Sequence, residues 1–395
     1  PGKNVKLCLD LELQQILERA FEGETGSAVF MNPQTGEILA WVSLPNYNPN
    51  LFSSTVSLSD WKALSEDPAH PLLNRPIQGC YPAGSTFKPF VALVGLEEGV
   101  LTPSSGFYCN GAWEFGGNVF HCHSRGGHGG VDLMTAVQNS CNVYFYHAGE
   151  RVGIERLNKW GGHFGLGKKT GVDLPNEISG VLPSAAWKKA RGMGPWYAGE
   201  TLSVSIGQGY LTVTPLQLLS FYSTIATGGT RLKPRLVEGP PVVEDSVAVS
   251  PANLALIKEA LWRVVEGGTG TGCRISGLPV CAKTGTAQIV KASFGKDSME
   301  LEKAERDHAW FAGFAPKDNP TVAFVVMVEH GGHGGKVGTK IARQGLEYLF
   351  FGVKPEPPAA PEAAPEAPPQ PDMGPAPPDP APPTEPESAP PPEGS

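Results

Sequence analysis

Three short clusters in this sequence place hydroxyl, amide and ammonium groups where they could act together. In Ser85-Thr86-Phe87-Lys88, which follows Tyr81-Pro82-Ala83-Gly84, a turn opens a helix and sets a serine and a lysine one helical turn apart on the same face. A serine hydroxyl is a poor nucleophile near neutral pH and needs an adjacent base. Lys88 can serve only if burial and neighbouring cations lower its pKa. Read alone, the pair is equally an N-cap serine beside a solvated lysine. Ser140-Cys141-Asn142 lies between a helical run and an aromatic one and means nothing by itself. Lys283-Thr284-Gly285-Thr286 sits in a strand pattern, between Val280-Cys281-Ala282 and Ala287-Gln288-Ile289, and its glycine lets a ligand approach the backbone closely. Lys283 supplies the second cation that Lys88 needs. None of the three clusters carries a function alone; what sets them apart from chance is their conjunction in this order.

A second constellation is made of sulfur and imidazole. Cys109, Cys122, His128 and Cys141 are separated by twelve, five and twelve residues, and the last falls inside the second cluster. Three thiolates and one imidazole form a closed tetrahedral set for a structural zinc ion. The loop Gly126-Gly127-His128-Gly129-Gly130 gives the backbone room to fold around it. Such an ion would hold the segment bearing Ser140 and Asn142, where a misplacement of about 1 Å can reduce a rate about 100-fold. A disulfide among these cysteines and plain buried thiols are the other readings, and His121 and His123 could replace a ligand. His330 and His333, in a glycine-spaced run, read as a loop rather than a metal site. Cys273 and Cys281 could form a disulfide across the loop before Lys283, and Cys8 and Cys80 read as buried or incidental.

These residues need a scaffold, and its elements are visible in the hydrophobic pattern. After Asp10, apolar residues at helical spacing run to Phe21. The period then changes: Ser27–Met31 and Glu37–Val42 flank Asn32-Pro33-Gln34-Thr35-Gly36, which predicts a hairpin. His308–Ala315 and Thr321–Glu329 flank Pro316–Pro320 in the same way, so a sheet is assembled from both ends of the domain. Between the hairpins lie helical stretches at Phe87–Gly99, Leu133–Val152, Pro215–Thr227 and Pro251–Val265, and Thr339–Phe350 closes the domain. The expected architecture is an antiparallel sheet carrying helices plus a helical insertion. The folded domain is expected at residues 1–353. Residues 354–395 are mainly Pro, Ala and Glu with almost no large apolar residues, which cannot offset their ordering entropy, and read as a disordered, partly polyproline tail. The net charge of -8 argues against nucleic acid as a partner. No window approaches the ~18 to 20 apolar residues of a membrane span.

The serine, Ser-x-Asn and Lys-Thr-Gly clusters in this order resemble the signature of penicillin-binding proteins and serine β-lactamases. The likeness extends from Lys3-Asn4-Val5 to about Gly352. Leu44-Pro45-Asn46-Tyr47-Asn48-Pro49-Asn50, Tyr81–Pro89, Leu182-Pro183-Ser184 with Trp187-Lys188, Ser205–Tyr210 through Thr214–Leu218, and Trp310–Ala315 all match the elongation-type class B branch called penicillin-binding protein 2. That resemblance implies an α/β fold: a five-stranded antiparallel sheet flanked by helices, an all-helical lobe, and the active site at their junction. It implies a peptidoglycan D,D-transpeptidase whose Ser85 attacks the D-Ala-D-Ala bond of a donor stem peptide and is acylated by β-lactams. Ser140 would relay a proton, Asn142 would hold the substrate amide and orient Lys88, and Lys283 with Thr284, Gly285 and Thr286 would bind the terminal carboxylate. The backbone N–H groups of Ser85 and Thr286 would form the oxyanion hole, worth about 3 to 4 kcal/mol. Some resembling enzymes have a metal site at the positions of Cys109, Cys122, His128 and Cys141; the chemistry itself needs no cofactor. The resemblance further implies an extracytoplasmic location, a glycosyltransferase partner of the shape, elongation, division and sporulation type, and elongation scaffold proteins. An N-terminal transmembrane helix and a pedestal are expected to precede the domain in a longer protein. A β-lactamase is the weaker enzymatic reading, since no Glu-x-x-Leu-Asn follows Asn142 and Glu177 lies in Pro175-Asn176-Glu177-Ile178. A β-lactam sensor that acylates without turnover is the non-enzymatic one.

Overall fold

The computed structural model of the protein describes residues 2–288 and 298–355. The proline-rich tail read at 354–395 lies outside them from residue 356 onward. The Asp10 carboxylate accepts from the N–H groups of Glu12 and Leu13 and so starts α1 (Leu11–Ala20). The strands β1 (Gly26–Met31) and β2 (Ile38–Leu44) follow and pair antiparallel, as the turn residues between them predict. Then come α2 (Leu58–Ser65), the short α3 (Arg75–Gln78), a 3-10 turn at Gly84–Phe87 and α4 (Lys88–Glu97). Two small ribbons interleave next: β3 (Phe107–Cys109) pairs with β6 (Gly129–Val131), and β4 (Ala112–Phe115) with β5 (Asn118–His121). Helices α5 (Leu133–Gln138), α6 (Asn142–Val152), α7 (Ile154–His163), α8 (Ala185–Ala190), α9 (Ala198–Ser205) and α10 (Pro215–Ala226) build the helical lobe. The chain returns through the ribbon β7 (Thr230–Leu232) and β8 (Val243–Ser246), helix α11 (Pro251–Gly267), strands β9 (Cys281–Ala287), β10 (His308–Ala315) and β11 (Val322–Val328), and α12 (Val337–Phe351).

The main sheet has five antiparallel strands in the order β2-β1-β11-β10-β9. Strand period divides its side chains between two cores. Val29, Met31, Trp310, Ala312, Phe314, Val325 and Met327 face the helical lobe, while Ala28, Phe30, Phe311, Phe324 and Val326 face α1 and α12. Both faces being covered, β11 can be apolar throughout, and all seven of its residues are buried. One of the two edge strands of the sheet is β9, the strand carrying Lys283-Thr284-Gly285-Thr286.

One expectation needs correcting. The apolar pattern predicts helix throughout Leu133–Val152, but the helix breaks into α5 and α6. Asn139, Ser140 and Cys141 form the break, with Ser140 in the left-handed region at φ 57° and Cys141 extended as the N-cap of α6. Asn, Ser and Cys favour caps and turns because their side chains compete for backbone hydrogen bonds. Here Cys141 Sγ accepts from the Tyr144 N–H at 3.5 Å. The break turns Ser140 and the first residue of α6, Asn142, toward Lys88 at the start of α4.

Candidate active site

The Ser85 turn is wedged between β9 and the segment after α9. Gly84 has φ 55°, and a Cβ there would lie 2.6 Å from the carbonyl oxygen of Thr286. On the other side the Gly84 N–H donates to Gly207 O at 2.8 Å, and a Cβ on Gly207 would lie 2.0 Å from Gly84 O. Neither position has room for a side chain, so glycine is what brings the Ser85 turn into contact with the edge strand. Behind it, the buried Tyr222 hydroxyl donates to Thr86 O at 2.9 Å and Thr86 Oγ1 donates to Ala83 O at 2.6 Å. Ser85 itself stays half-buried.

Lys88, the first residue of α4, is fully buried and its ammonium has three acceptors. Nζ donates to Ser140 O at 2.7 Å, to Ser140 Oγ at 3.1 Å and to Asn142 Oδ1 at 2.6 Å. The broken helix therefore delivers both polar residues of the second cluster to the lysine of the first. Burial pushes the Lys88 pKa down to about 8, against an opposing electrostatic pull from Cys122 and Cys141. Asn142 is pinned at its other end too, since Nδ2 donates to His121 O at 3.1 Å. Lys283 is likewise buried, and burial together with the charge of Lys88 holds it well below the usual lysine value. Its Nζ donates to Thr284 O at 3.0 Å, and Thr284 Oγ1 is 2.6 Å from the Thr269 hydroxyl. Two lysines, a half-open serine and a glycine-bearing edge strand make a site that can accept a proton from Ser85 and bind an anion beside it.

The four residues named as metal ligands converge: the donor atoms of Cys109, Cys122, His128 and Cys141 all lie within 4.8 Å of one another. His128 Nδ1 is 3.5 Å from Cys122 Sγ and 3.7 Å from Cys109 Sγ. Tetrahedral zinc, with bonds of about 2.3 Å to sulfur and about 2.0 Å to nitrogen, requires such edges to be about 3.6 Å, so the residues fit the ion. The scaffold is the pair of ribbons, with His128 N–H on Cys109 O at 3.0 Å and Cys122 N–H on Gly111 O at 2.8 Å. A hydrogen bond from Cys141 holds the Cys122 thiol well below the ordinary range and pushes Cys141 above it. His123 is turned elsewhere, with Nε2 2.9 Å from Asn139 O.

The model of the penicillin binding protein transpeptidase domain family matches residues 26–347 of this chain. The chain belongs to that family. Among relatives of this penicillin-binding protein domain, the peptidoglycan D,D-transpeptidase MrdA of Acinetobacter baumannii is 37% identical over 371 residues, which are 90% of this chain and 55% of the relative. The chain thus spans little more than half the length of the curated relatives it matches. Among solved structures, Pseudomonas aeruginosa PBP2 in complex with WCK 5153 aligns with a TM-score of 0.81 at 35% identity, covering 89% of this chain and 76% of that one. The Helicobacter pylori PBP2 in complex with MreC gives 0.81 at 33% identity, covering 88% and 64%.

Other residues of the penicillin-binding domain have definite places. Glu177 is buried with both carboxylate oxygens engaged, accepting from Thr170 N–H at 2.7 Å, Thr170 Oγ1 at 2.6 Å and Gly171 N–H at 3.0 Å. It braces a loop and is not free to activate a water. Tyr197 lines an open groove of about 510 Å3 with Phe115, Phe120 and Glu200, whereas Trp196 turns inward to donate to Thr201 Oγ1 at 2.8 Å. Cys273 and Cys281 are both free and buried, not bridged, and Cys281 Sγ donates to Lys258 O at 3.2 Å. His330 belongs to the loop, with Nδ1 3.2 Å from Arg306 O; among the described residues the Cys/His group is the one set that could hold a metal. Sequence reasoning missed Arg75 and Glu329 and gave no role to Tyr81. Arg75 Nε donates to Glu329 Oε1 at 2.9 Å and the Tyr81 hydroxyl to the same oxygen at 2.5 Å, directly ahead of the Ser85 turn.

Proposed function

We propose that this domain is the cross-linking unit of an elongation-type peptidoglycan D,D-transpeptidase, with Ser85 as the acylated nucleophile. The observation that carries the reading is the buried Lys88 ammonium held against Ser140 Oγ and Asn142 Oδ1, three residues along the chain from a half-open Ser85. In its neutral form Lys88 takes the Ser85 proton as Oγ attacks the penultimate D-Ala carbonyl of a donor stem. The N–H groups of Ser85 and Thr286 receive the developing oxyanion, and Lys283, Thr284 and Thr286 hold the terminal carboxylate against β9, with Gly285 giving it room. Ser140 passes the proton to the departing D-Ala amine, and the amine of a second stem then displaces Ser85 from the acyl-enzyme. A β-lactam enters the same path and stops at the acyl stage.

The engagement of Glu177 on Thr170 and Gly171 weighs against a deacylating hydrolase. A sensor domain would acylate but transfer nothing. Cys109, Cys122, His128 and Cys141 would hold a structural zinc ion, which when bound would offset two of the three thiolate charges and take no part in the reaction. Cys141, between Ser140 and Asn142, joins that set to the catalytic residues. In this reading the folded domain is residues 1–353, followed by a proline-rich tail at 354–395. Its location is extracytoplasmic, as part of a longer membrane-anchored protein, in company with a shape, elongation, division and sporulation glycosyltransferase and elongation scaffold proteins; the Helicobacter pylori relative is in complex with MreC. Among the described residues no helix is long and apolar enough to cross a membrane.

The test is intact mass after incubation with a penicillin, on wild type and Ser85→Ala. A stable one-drug adduct, lost in the variant, with D-Ala released from stem peptide, is expected. An adduct without D-Ala release indicates a sensor, rapid loss of adduct with hydrolysed drug indicates a lactamase, and no adduct sinks the reading. For the metal, close to one zinc per chain is expected by elemental analysis, falling in Cys109→Ser and His128→Ala; zinc-free wild type purified without chelator would rule it out.

A further inference from the structure

The segment that delivers Ser85 is tied down at every residue ahead of it. Tyr81 pairs with Val213 through both backbone groups at 3.0 and 2.9 Å, Trp310 Nε1 donates to Pro82 O at 3.1 Å, and Gly84 N–H donates to Gly207 O. The Tyr81 side chain reaches in the opposite direction, to a carboxylate. Glu329 Oε1 accepts from the Tyr81 hydroxyl at 2.5 Å and from Arg75 Nε at 2.9 Å, and Oε2 accepts from Arg75 Nη2 at 3.4 Å. Arg75 is 1% exposed, and its remaining donors go to His70 O at 3.2 Å and Ala69 O at 2.7 Å. Glu329 follows the last residue of β11, its N–H bonded to Thr25 O at 2.8 Å, and it starts the glycine loop that returns beneath the active strand. In that loop a Cβ on Gly334 would lie 2.4 Å from Gly285 O and 2.3 Å from Trp310 O. One carboxylate thus joins the start of the nucleophile turn to the loop packed behind the Lys-Thr-Gly strand.

A buried ion pair is a poor stabiliser, because desolvation offsets most of the Coulombic gain and apolar packing of the same volume does as well. What a fork-shaped guanidinium holding a carboxylate provides is fixed geometry. We propose that Arg75, Tyr81 and Glu329 are positioning residues for Ser85: Arg75 fixes the Glu329 carboxylate, and Glu329, through the Tyr81 hydroxyl, sets the register of the nucleophile turn against β9 and with it the two halves of the oxyanion site. Each would act through the turn rather than on the substrate. The inference rests on the reading of Ser85 as the acylated residue.

The test measures acylation of the domain by a fluorescent penicillin under single-turnover conditions, separating the acylation rate constant from the non-covalent dissociation constant and from the fraction finally labelled. Tyr81→Phe removes one hydroxyl and keeps the ring. It is expected to slow acylation about 10- to 100-fold, as a sub-ångström displacement of a nucleophile does, with the dissociation constant within about twofold and the labelled fraction complete. Glu329→Gln and Arg75→Lys are expected to slow it similarly. Tyr81→Phe combined with Glu329→Gln should be no slower than Glu329→Gln alone, the mark of residues acting as a unit. An unchanged acylation rate constant in Tyr81→Phe overturns the inference. So does a fall confined to the labelled fraction or the melting temperature, which is what a merely structural role produces. Wild type that takes no label overturns the acyl-serine reading itself and this inference with it.

Discussion

At the scale of single residues the site turns on the protonation of Lys88. Its three acceptors can hold an ammonium, yet only the neutral amine can take the Ser85 proton, and burial sets the balance at about 8. Below that value the base is consumed by protons. The second-order rate of acylation is therefore expected to fall about tenfold per pH unit below about 8 and to level off above it. A profile flat from pH 6 to 9, measured with a penicillin stable over that range, would remove Lys88 as the base. The meeting of Lys88 with Ser140 and Asn142 was legible in the sequence because each cluster is short, local and chemically unusual as a set. The Cys/His group was legible for the same reason, since few arrangements other than a metal site or a disulfide call for three cysteines and a histidine. Arg75 and Glu329 were not, because they are 254 residues apart and each taken alone is an ordinary charged residue, usually found at a surface.

At the scale of elements, the site is a junction of three ends: the start of α4, the break between α5 and α6, and the edge of β9. Glycine permits the closest of these approaches. Gly207→Ala places a Cβ 2.0 Å from a backbone oxygen at φ 77°, and neither the clash nor the left-handed strain has a cheap escape. That substitution is expected to destabilise the domain by more than about 2 kcal/mol and to lower the fraction labelled by fluorescent penicillin, measured alongside the thermal midpoint. Ser140→Gly separates conformation from chemistry at the helix break: glycine keeps the φ of 57° but loses the hydroxyl on Lys88. Little change in melting temperature and a loss of about 100-fold or more in D-Ala release are expected. The hairpins could be read because Asn, Pro and Gly punctuate them. The break could not, since an apolar helical pattern runs on both sides of it, and the ribbons β3–β6 and β4–β5, of three or four residues per strand, are too short for a period to register.

At the scale of the whole molecule, acid acts through the buried groups at the end of the sheet. Burial and the neighbouring His330 push His308 down to about 4 from an unfolded value of 6.5. The unfolded chain therefore takes up that proton first, and stability falls as pH drops from about 6.5 towards about 4. Glu329 adds to the loss at lower pH: burial raises its pKa, but hydrogen bonds from Arg75 and Tyr81 outweigh it, so the native carboxylate resists protonation below 4.5 while the unfolded one does not. The thermal midpoint is expected to decline through the whole interval. His308→Asn, which keeps an acceptor for the His330 N–H, should flatten the upper part only. An unaltered slope between pH 6.5 and 4.5 would show that His308 is not responsible.

The sheet order carries one more consequence, for synthesis. Strand β1 lies between β2 and β11, with Gly26 opposite Val328, so a hairpin made early waits for a partner made near the end of the domain. Pairings so remote in the chain close slowly. A ribosome-bound chain that has already extruded Ser85, Lys88, Ser140 and Asn142 still has no Thr286 beside Gly84 and no β10 behind Thr286. Drug binding should therefore be absent from nascent chains of every length until β11 has emerged, leaving the growing polypeptide insensitive to penicillin while it is made.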